Sequence, residues 1–440
     1  MDTAVGDAEF DRRVAARSVV VGIVGLGYVG LPLAVAHAEV GFDVVGFDTD
    51  GERCDALNGG RSHVEDIADE RLATQVSAGR LTASADRSVL DRADVVFICV
   101  PTPSDRHQTP DLSYVREALT SVAASLRTGD LVILQSTTYP GTTTEVCAPA
   151  LEAGGLRAGL DFHLAFSPER VDPGNAEWTV ATTPKVVGGV TPECGRRAAL
   201  LLESLMPTPE VRQVSTPAAA EMAKLLENTY RAVNIALVNE LAQLCHRMGI
   251  DVWEVIDAAA TKPFGFEAFR PGIGPGGHCI PVDPQYLSWK AREFDFRTEF
   301  IDLAADTNQG MADYVLGRIR AFADRQGVAL AGARVLCLGA AFKAGVSDIR
   351  NSRAIRVMEL LVDGGARVEF ADPLVDELEV SGERHKAISI GPTMAAGFDL
   401  VVVLVAHPVW GELHALPDAA LVFDAVGALE ARGHPAYERL

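Results

Sequence analysis

Val19-Val20-Val21-Gly22-Ile23-Val24-Gly25-Leu26-Gly27-Tyr28-Val29-Gly30 reads as a buried strand that runs straight into a glycine-rich turn and opens a helix. The apolar helix extends to about residue 40, and a second strand, Asp43-Val44-Val45-Gly46-Phe47-Asp48, follows it. Each part has a chemical reason to be there. Gly25 makes the tight turn, Gly27 lets backbone approach a pyrophosphate, and Gly30 lets the helix pack closely on the strand. The helix N-terminus, opening near Tyr28 and Val29, stabilises the phosphate charge. Asp48 ends the second strand, where a carboxylate can bind both ribose hydroxyls of a dinucleotide. That carboxylate would repel a 2′-phosphate, which favours NAD over NADP. Arg53 weighs the other way, since an arginine at this place can accept such a phosphate.

Working outward, buried-type strands at 95–100, 131–135 and 163–166 alternate with helical segments. Strands alternating with helices imply crossover units and a parallel sheet, so residues 1–205 are expected to form a doubly wound domain. The acidic lead, residues 1–16, has no assigned role and is expected to be disordered. After Pro207 and Pro209 the texture changes: residues 217–248 form a helix-favouring run with no internal glycine or proline. Such a helix is about 45 Å long, which suits a strut between domains and a dimer contact. A shorter helix at 252–260 and a Gly/Pro-rich loop at 261–284 complete this part. From residue 331 the opening pattern repeats, with strands at 334–339 and 367–372 around a helix at 352–363, then strands at 400–406 and 421–423. The fold class is therefore α/β: two Rossmann-like doubly wound domains joined by a helical middle domain with one long central helix. The domains are read as 1–205, 206–325 and 326–440.

The 440 residues carry 39 Lys plus Arg against 60 Asp plus Glu, a formal charge of −21. A field of that sign argues against nucleic acid or an anionic membrane as partner. An anionic ligand would have to find its own local cations. No apolar run reaches the ~20 residues that a bilayer requires, and the N-terminus does not open as a secretory leader. Seven scattered cysteines with no CxxC pair make a disulfide framework or structural zinc site unexpected. The expected location is the cytoplasm, with reduced thiols and no metal.

Six cysteines lie in apolar strands, helices or ordinary loops. Cys279 instead lies in Gly274-Pro275-Gly276-Gly277-His278-Cys279-Ile280-Pro281-Val282-Asp283-Pro284, a rigid loop just before a helix expected from Pro284. Backbone amides and a helix N-terminus there would favour a thiolate. Asp283 has two readings, an ordinary N-cap or a functional carboxylate. Lys224, Asn228 and Arg231 fall on one face of the long helix, as a solvated stripe or as a site that steadies an oxyanion. Thr102 and Thr137 lie in loops that end strands of the first sheet, where ligands collect in such folds, and Glu169, Arg170 and Val171 follow the strand at 163–166. The second Rossmann-like unit lacks the fingerprint: Gly339 is followed by Ala340, Ala341, Phe342 and Lys343. Lys343 and Arg350 either supply charge to a different nucleotide or are solvated surface groups.

GPGGHCIPVDP (274–284), SPERVDPG (167–174), AEMAKLLENTYRAVN (220–234) and GAAFKAGVSDIR (339–350) together resemble the nucleotide-sugar 6-dehydrogenases. That family includes UDP-glucose, UDP-N-acetylhexosamine and GDP-mannose dehydrogenases, and the resemblance covers nearly the whole chain. It implies Cys279 as nucleophile, Lys224 with Asn228 steadying oxyanionic intermediates, and Asp283 assisting proton movement beside the thiol. It implies Glu169 in thioester hydrolysis and Thr137 in positioning water. Substrate contacts are implied at Glu169, Arg170, Val171, Lys224, Asn228, Arg231, Gly276, Phe342 and Lys343. Cofactor contacts beyond the glycines are implied at Val29, Asp48, Arg53, Thr102, Thr137 and Arg350.

The implied reaction is a four-electron oxidation of a sugar C6 alcohol to a carboxylate with NAD, through a thiohemiacetal and a thioester on Cys279. A thiol is needed because an aldehyde has no second transferable hydride until a nucleophile adds. Residues 261–266 and 276–291 look most like the UDP-N-acetylglucosamine branch, with UDP-N-acetylmannosamine, UDP-N-acetylgalactosamine and UDP-glucose as alternatives. A departure is Gly272-Ile273-Gly274, where related sequences often have proline between the glycines. The resemblance also implies a homodimer built on the long helix, or a higher homo-oligomer. Two other classes remain: a two-electron dehydrogenase in which Cys279 is structural, and a non-enzymatic NAD-binding protein on the same fold.

Overall fold

The strand, turn and strand read from the glycine fingerprint form β1 (Val20–Val24) and β2 (Asp43–Phe47), parallel and in register from Val20 opposite Asp43. They belong to a computed structural model that describes residues 3–105, 109–172, 174–175, 177–208, 210–391, 395–412, 421–429 and 436–440. Pro173 of the 167–174 motif, Pro209, and parts of the C-terminal domain lie outside the described residues. The chain divides into two compact units, residues 1–227 with 289–295, and residues 228–288 with 296–440.

In the first unit, β1 and β2 are joined by β3 (Leu81–Ser84), β4 (Val95–Ile98), β5 (Leu131–Leu134), β6 (His163–Phe166), β7 (Lys185–Gly189) and β8 (Val211–Val214). The sheet order is β3-β2-β1-β4-β5-β6-β7-β8. Strand order reverses between β1 and β4, which puts the glycine turn and the loop after β4 at the crevice where open α/β sheets bind ligands. The expected parallel sheet needs one correction: β7 runs antiparallel to β6. β3, β7 and β8 escaped the sequence reading for a physical reason. β3 and β8 are short and only alternately or partly buried, and β7 begins with a lysine.

A second correction concerns the N-terminal lead. Thr3–Ala15 is a helix, not a disordered segment. Phe10 and Val14, one turn apart, are buried in the core. Arg13 pairs with Asp94 and Asp11 with Arg196 at 2.9 Å, so the acidic composition is offset locally.

In the second unit, β9 (Arg334–Leu338), β10 (Arg367–Ala371), the hairpin β11 (Glu377–Val380) and β12 (Glu383–Lys386), β13 (Leu400–Val403), β14 (Leu421–Asp424) and β15 (Tyr437–Arg439) appear in chain order. The main sheet, β10-β9-β13-β14-β15, is parallel throughout. The internal repeat extends to atomic detail. Asp48 after β2 accepts the Leu26 N–H at 2.8 Å, and Asp372 after β10 accepts the Ala340 N–H at 2.7 Å. In both units the acid at the end of the second strand ties down the turn after the first.

The long helix spans Pro217–Met248, as the lack of internal glycine and proline predicts, and Gly249 follows at φ +71°. Its residues through Glu227 belong to the first unit and the rest to the second. Among the described residues, no helix is long and apolar enough to cross a membrane.

Candidate functional site

Three glycines shape the turn after β1, each for a different reason. Gly25 sits at φ +89°, and a Cβ there would lie 2.8 Å from the Cys99 carbonyl oxygen. A Cβ on Gly30 would lie 1.8 Å from the Gly25 carbonyl oxygen, so only glycine permits the helix Gly30–Glu39 to start so close to the strand. A Cβ on Gly27 would meet nothing within 4 Å. The fold does not require glycine at 27, and glycine there leaves the backbone open to an approaching ligand. Asp48, buried at the end of β2, accepts N–H groups of Leu26 at 2.8 Å and Asp50 at 3.0 Å. Arg53 donates to both Asp48 oxygens at 3.0 and 2.9 Å. The arginine that could have received a 2′-phosphate is thus engaged by the carboxylate itself. This turn, with its open position at Gly27 and its terminal acid, fits NAD. Gly30→Ala is expected to cost at least ~3 kcal/mol of stability by forcing helix and strand apart. Gly27→Ala should fold with unchanged Tm yet bind NAD at least about tenfold more weakly; calorimetric titration beside a thermal melt separates the two.

Two loops at the same sheet end are tied together. The Thr102 hydroxyl donates to the Thr137 carbonyl at 2.7 Å, and the Ser136 hydroxyl to the Val100 carbonyl at 2.7 Å. After β6, Glu169 collects four donors. Its Oε1 accepts the N–H groups of Arg170 (2.8 Å) and Val171 (3.0 Å) and the Lys185 ammonium (3.2 Å). Its Oε2 accepts the Gln135 amide at 2.7 Å. Burial alone would raise the carboxyl pKa, but Lys185 and the two backbone N–H groups outweigh it and hold the group below its ordinary value. Arg170 is held by Glu227 at 2.9 Å and by the Pro184 carbonyl at 2.7 Å.

The sequence reading missed Lys185, Gln135 and Glu221. Glu221, fully buried on the long helix, accepts the N–H groups of Gly141 (2.6 Å) and Thr143 (2.9 Å) and the Thr143 hydroxyl (2.6 Å). It therefore anchors the loop that carries Thr137, and burial pushes its pKa up. A charged residue inside otherwise apolar sequence, one turn before Lys224 and at the head of β7, was the available signal for Glu221 and Lys185.

On the long helix, Lys224 and Asn228 are buried and Arg231 is exposed, so the three do not form a uniform solvated stripe. In the second unit, Cys279 is exposed while the other six cysteines are buried. Its carbonyl accepts the N–H groups of Val282 at 3.2 Å and Asp283 at 2.8 Å, closing the turn that starts the helix Asp283–Ala291. That helix begins one residue earlier than expected, at Asp283 rather than Pro284. The Asp283 carboxylate, buried, accepts the Asn228 side-chain amide at 2.6 Å. The thiol loop is pinned by close packing. A Cβ on Gly274 would lie 2.4 Å from the Asn308 carbonyl, on Gly276 2.9 Å from the Asn351 carbonyl, and on Gly277 2.9 Å from the Phe342 ring. The Gly277 N–H donates to the Arg350 carbonyl at 3.0 Å, and the Asn351 amide to the Gly277 carbonyl at 3.1 Å. Cys279, Asp283, Asn228, Gly276 and Phe342 are thus brought into one locally rigid arrangement. Burial and then the Arg350 charge lower the pKa of His278, leaving it neutral at pH 7. Lys343 is half-buried, and the exposed Arg350 guanidinium pairs with Asp348 at 2.6 Å.

The UDP-glucose/GDP-mannose dehydrogenase family matches the chain in three parts: its NAD binding domain at residues 19–206, its central domain at 218–310 and its UDP binding domain at 336–431. A UDP-N-acetyl-D-glucosamine 6-dehydrogenase from Pseudomonas aeruginosa is 38% identical over 392 residues, 88% of this chain and 90% of that protein. An NDP-N-acetyl-D-galactosaminuronic acid dehydrogenase from Ralstonia solanacearum is 34% identical over 407 residues, 90% of this chain and 93% of that protein. The solved structure of a UDP-D-ManNAc dehydrogenase from Pyrococcus horikoshii superposes with a TM-score of 0.86 at 32% identity, covering 96% of this chain and 99% of that one.

Proposed function

The chain belongs to the UDP-glucose/GDP-mannose dehydrogenase family of NAD-dependent nucleotide-sugar 6-dehydrogenases, and we propose that it oxidises the C6 alcohol of UDP-N-acetylglucosamine to the carboxylate. The observation that carries the four-electron reading is the exposed Cys279 on a glycine-locked loop, four residues before a buried carboxylate that holds the Asn228 amide. A structural cysteine needs neither the exposure nor that neighbour. The choice of sugar rests on the Pseudomonas aeruginosa relative and on residues 261–266 and 276–291.

When bound, NAD+ takes up the hydride released in each of the two oxidations. The chain's own groups do the rest. The Lys224 ammonium and the second N–H of the Asn228 amide steady the oxygen as it gains negative charge. The Cys279 thiolate adds to the aldehyde, so that the carbon regains a hydride to lose and the reactive aldehyde stays covalently held. Asp283 assists proton movement beside the thiol, and Thr137 with Glu169 directs water to the thioester. Lys224, Arg231, Lys343 and Arg350 supply the local cations that a diphosphate needs on a chain of net charge −21. Arg350 is the corresponding cofactor contact.

We also assign the chain to the cytoplasm and to a homodimer on the long helix. Leu237, Leu241, Leu244 and Met248, spaced as one helical face, are 37–61% exposed, an apolar stripe that a second copy would cover.

The test is a panel of UDP-N-acetylglucosamine, its manno and galacto epimers, UDP-glucose and GDP-mannose, with NADH counted per sugar consumed. Two NADH from the gluco sugar, at the highest kcat/KM, is the expected result. Preference for another epimer would overturn the substrate, one NADH per sugar would favour the two-electron alternative, and none from any sugar would favour the non-enzymatic one.

A further inference from the structure

Lys185 is almost completely buried, 1% exposed at the head of β7, and no step described above uses it. A lysine ammonium is seldom taken out of water unless a partner holds it there. Its partner is Glu169 Oε1 at 3.2 Å. That oxygen also accepts two backbone N–H groups, and Oε2 accepts Gln135, so one lone-pair position on Oε2 is left for a further donor. We propose that Lys185 is a positioning residue which keeps Glu169 ionised and aimed, so that the open position on Oε2 can receive the proton side of the water that attacks the Cys279 thioester. The inference rests on the thioester reading above.

The step balances simply. Water oxygen bonds to the acyl carbon, the carbon–sulfur bond breaks, Cys279 recovers its thiol, and one proton is released with the carboxylate product. Nothing is oxidised or reduced. Glu169 must be an anion to accept from the water, so hydrolysis falls as pH drops through its pKa. Of the influences on the Glu169 carboxyl, Lys185 supplies charge and the Arg170 and Val171 N–H groups supply hydrogen bonds. His37, on the helix after the glycine turn, is lowered to about 4 by burial, with the Lys185 charge adding to the effect. Cys99, at the end of β4, is raised by burial and by Glu169, so it stays a thiol. Arg170 is paired with Glu227. Lys185 is therefore the cation that offsets the burial of Glu169, and without it burial raises the carboxyl pKa.

The experiment follows decay of the Cys279 thioester by intact mass in single turnovers across pH, for the wild type, Lys185→Gln and Glu169→Gln. In Lys185→Gln the acid limb should move up by at least about one pH unit, with thioester accumulating after a burst of two NADH per subunit. Glu169→Gln should decay slowly with no such limb. Should Lys185→Gln fail to fold, the doubly neutral Lys185→Met/Glu169→Gln buries no charge and should fold; it must then show the slow, limbless decay of Glu169→Gln. A normal decay in that double variant, or an unmoved limb in Lys185→Gln, overturns the inference while leaving the thioester reading intact. A wild type with no thioester overturns that reading, and this inference with it.

Discussion

Cys279→Ser is expected to lower steady-state uronate formation at least about a thousandfold while leaving the melting temperature unchanged. A serine hydroxyl is isosteric with the thiol but is not ionised near neutral pH, so it adds to an aldehyde far more weakly than a thiolate does. The aldehyde from the first oxidation would then hold no transferable hydride, and NADH would stop at one per sugar. The fold should tolerate the change. Cys279 is exposed and its loop is held by the glycine contacts and by backbone bonds from its own carbonyl, none of which involve sulfur. Product analysis should find aldehyde in place of uronate. Near-normal rates in the serine variant would make Cys279 structural and the enzyme a two-electron dehydrogenase. The burst makes a second check: wild type should retain a mass adduct on Cys279 when quenched mid-turnover, and the serine variant none.

What the sequence made legible was whatever depends on local pattern. The first β-turn-α unit, the uninterrupted helix Pro217–Met248 and the repeat from residue 331 follow from hydrophobic periodicity and from where glycine is absent or required. What escaped depends on long-range pairing. β7 turns antiparallel beside β6, which no local pattern encodes. The helix Thr3–Ala15 is stable because Phe10 and Val14 find a core and Asp11 finds Arg196, 185 residues away, whereas its acidic composition alone reads as solvated. The candidate site divides the same way. The glycines, Asp48 and Cys279 announce themselves by spacing, but the donors that tune them do not. Lys185 lies 16 residues from Glu169 and Glu221 lies 80 from Gly141, so neither pair is visible until the strands are in order. A single sequence shows which groups carry chemistry sooner than it shows which groups set their charge.

Asn228 and Asp283 give the second large effect, and the two members of the pair should fail differently. The Asn228 amide has two N–H groups, and Asp283 takes one of them at 2.6 Å in a buried, charge-assisted bond. In the proposed mechanism the other N–H steadies the oxyanion. In Asn228→Ala the buried carboxylate loses this donor, so stability should fall by about 2–3 kcal/mol together with activity. In Asp283→Asn two amides of matching shape can still bond once one flips, so stability should fall by less than about 1 kcal/mol. The negative charge that the proposed mechanism uses to move protons beside the thiol is gone, however, and kcat should drop at least about a hundredfold. KM for the nucleotide sugar should change little in Asp283→Asn, because the lost interaction is one that matters in the transition state. Denaturant melts alongside kcat and KM for both single variants and the double close a cycle. If the residues act as one device, the double variant loses much less activity than the product of the single losses. If the losses in kcat simply multiply, Asn228 and Asp283 act separately, and the short bond between them only supports the fold. An Asp283→Asn enzyme with unchanged kcat would assign Asp283 to the start of its helix, the ordinary role that an aspartate before proline suggests.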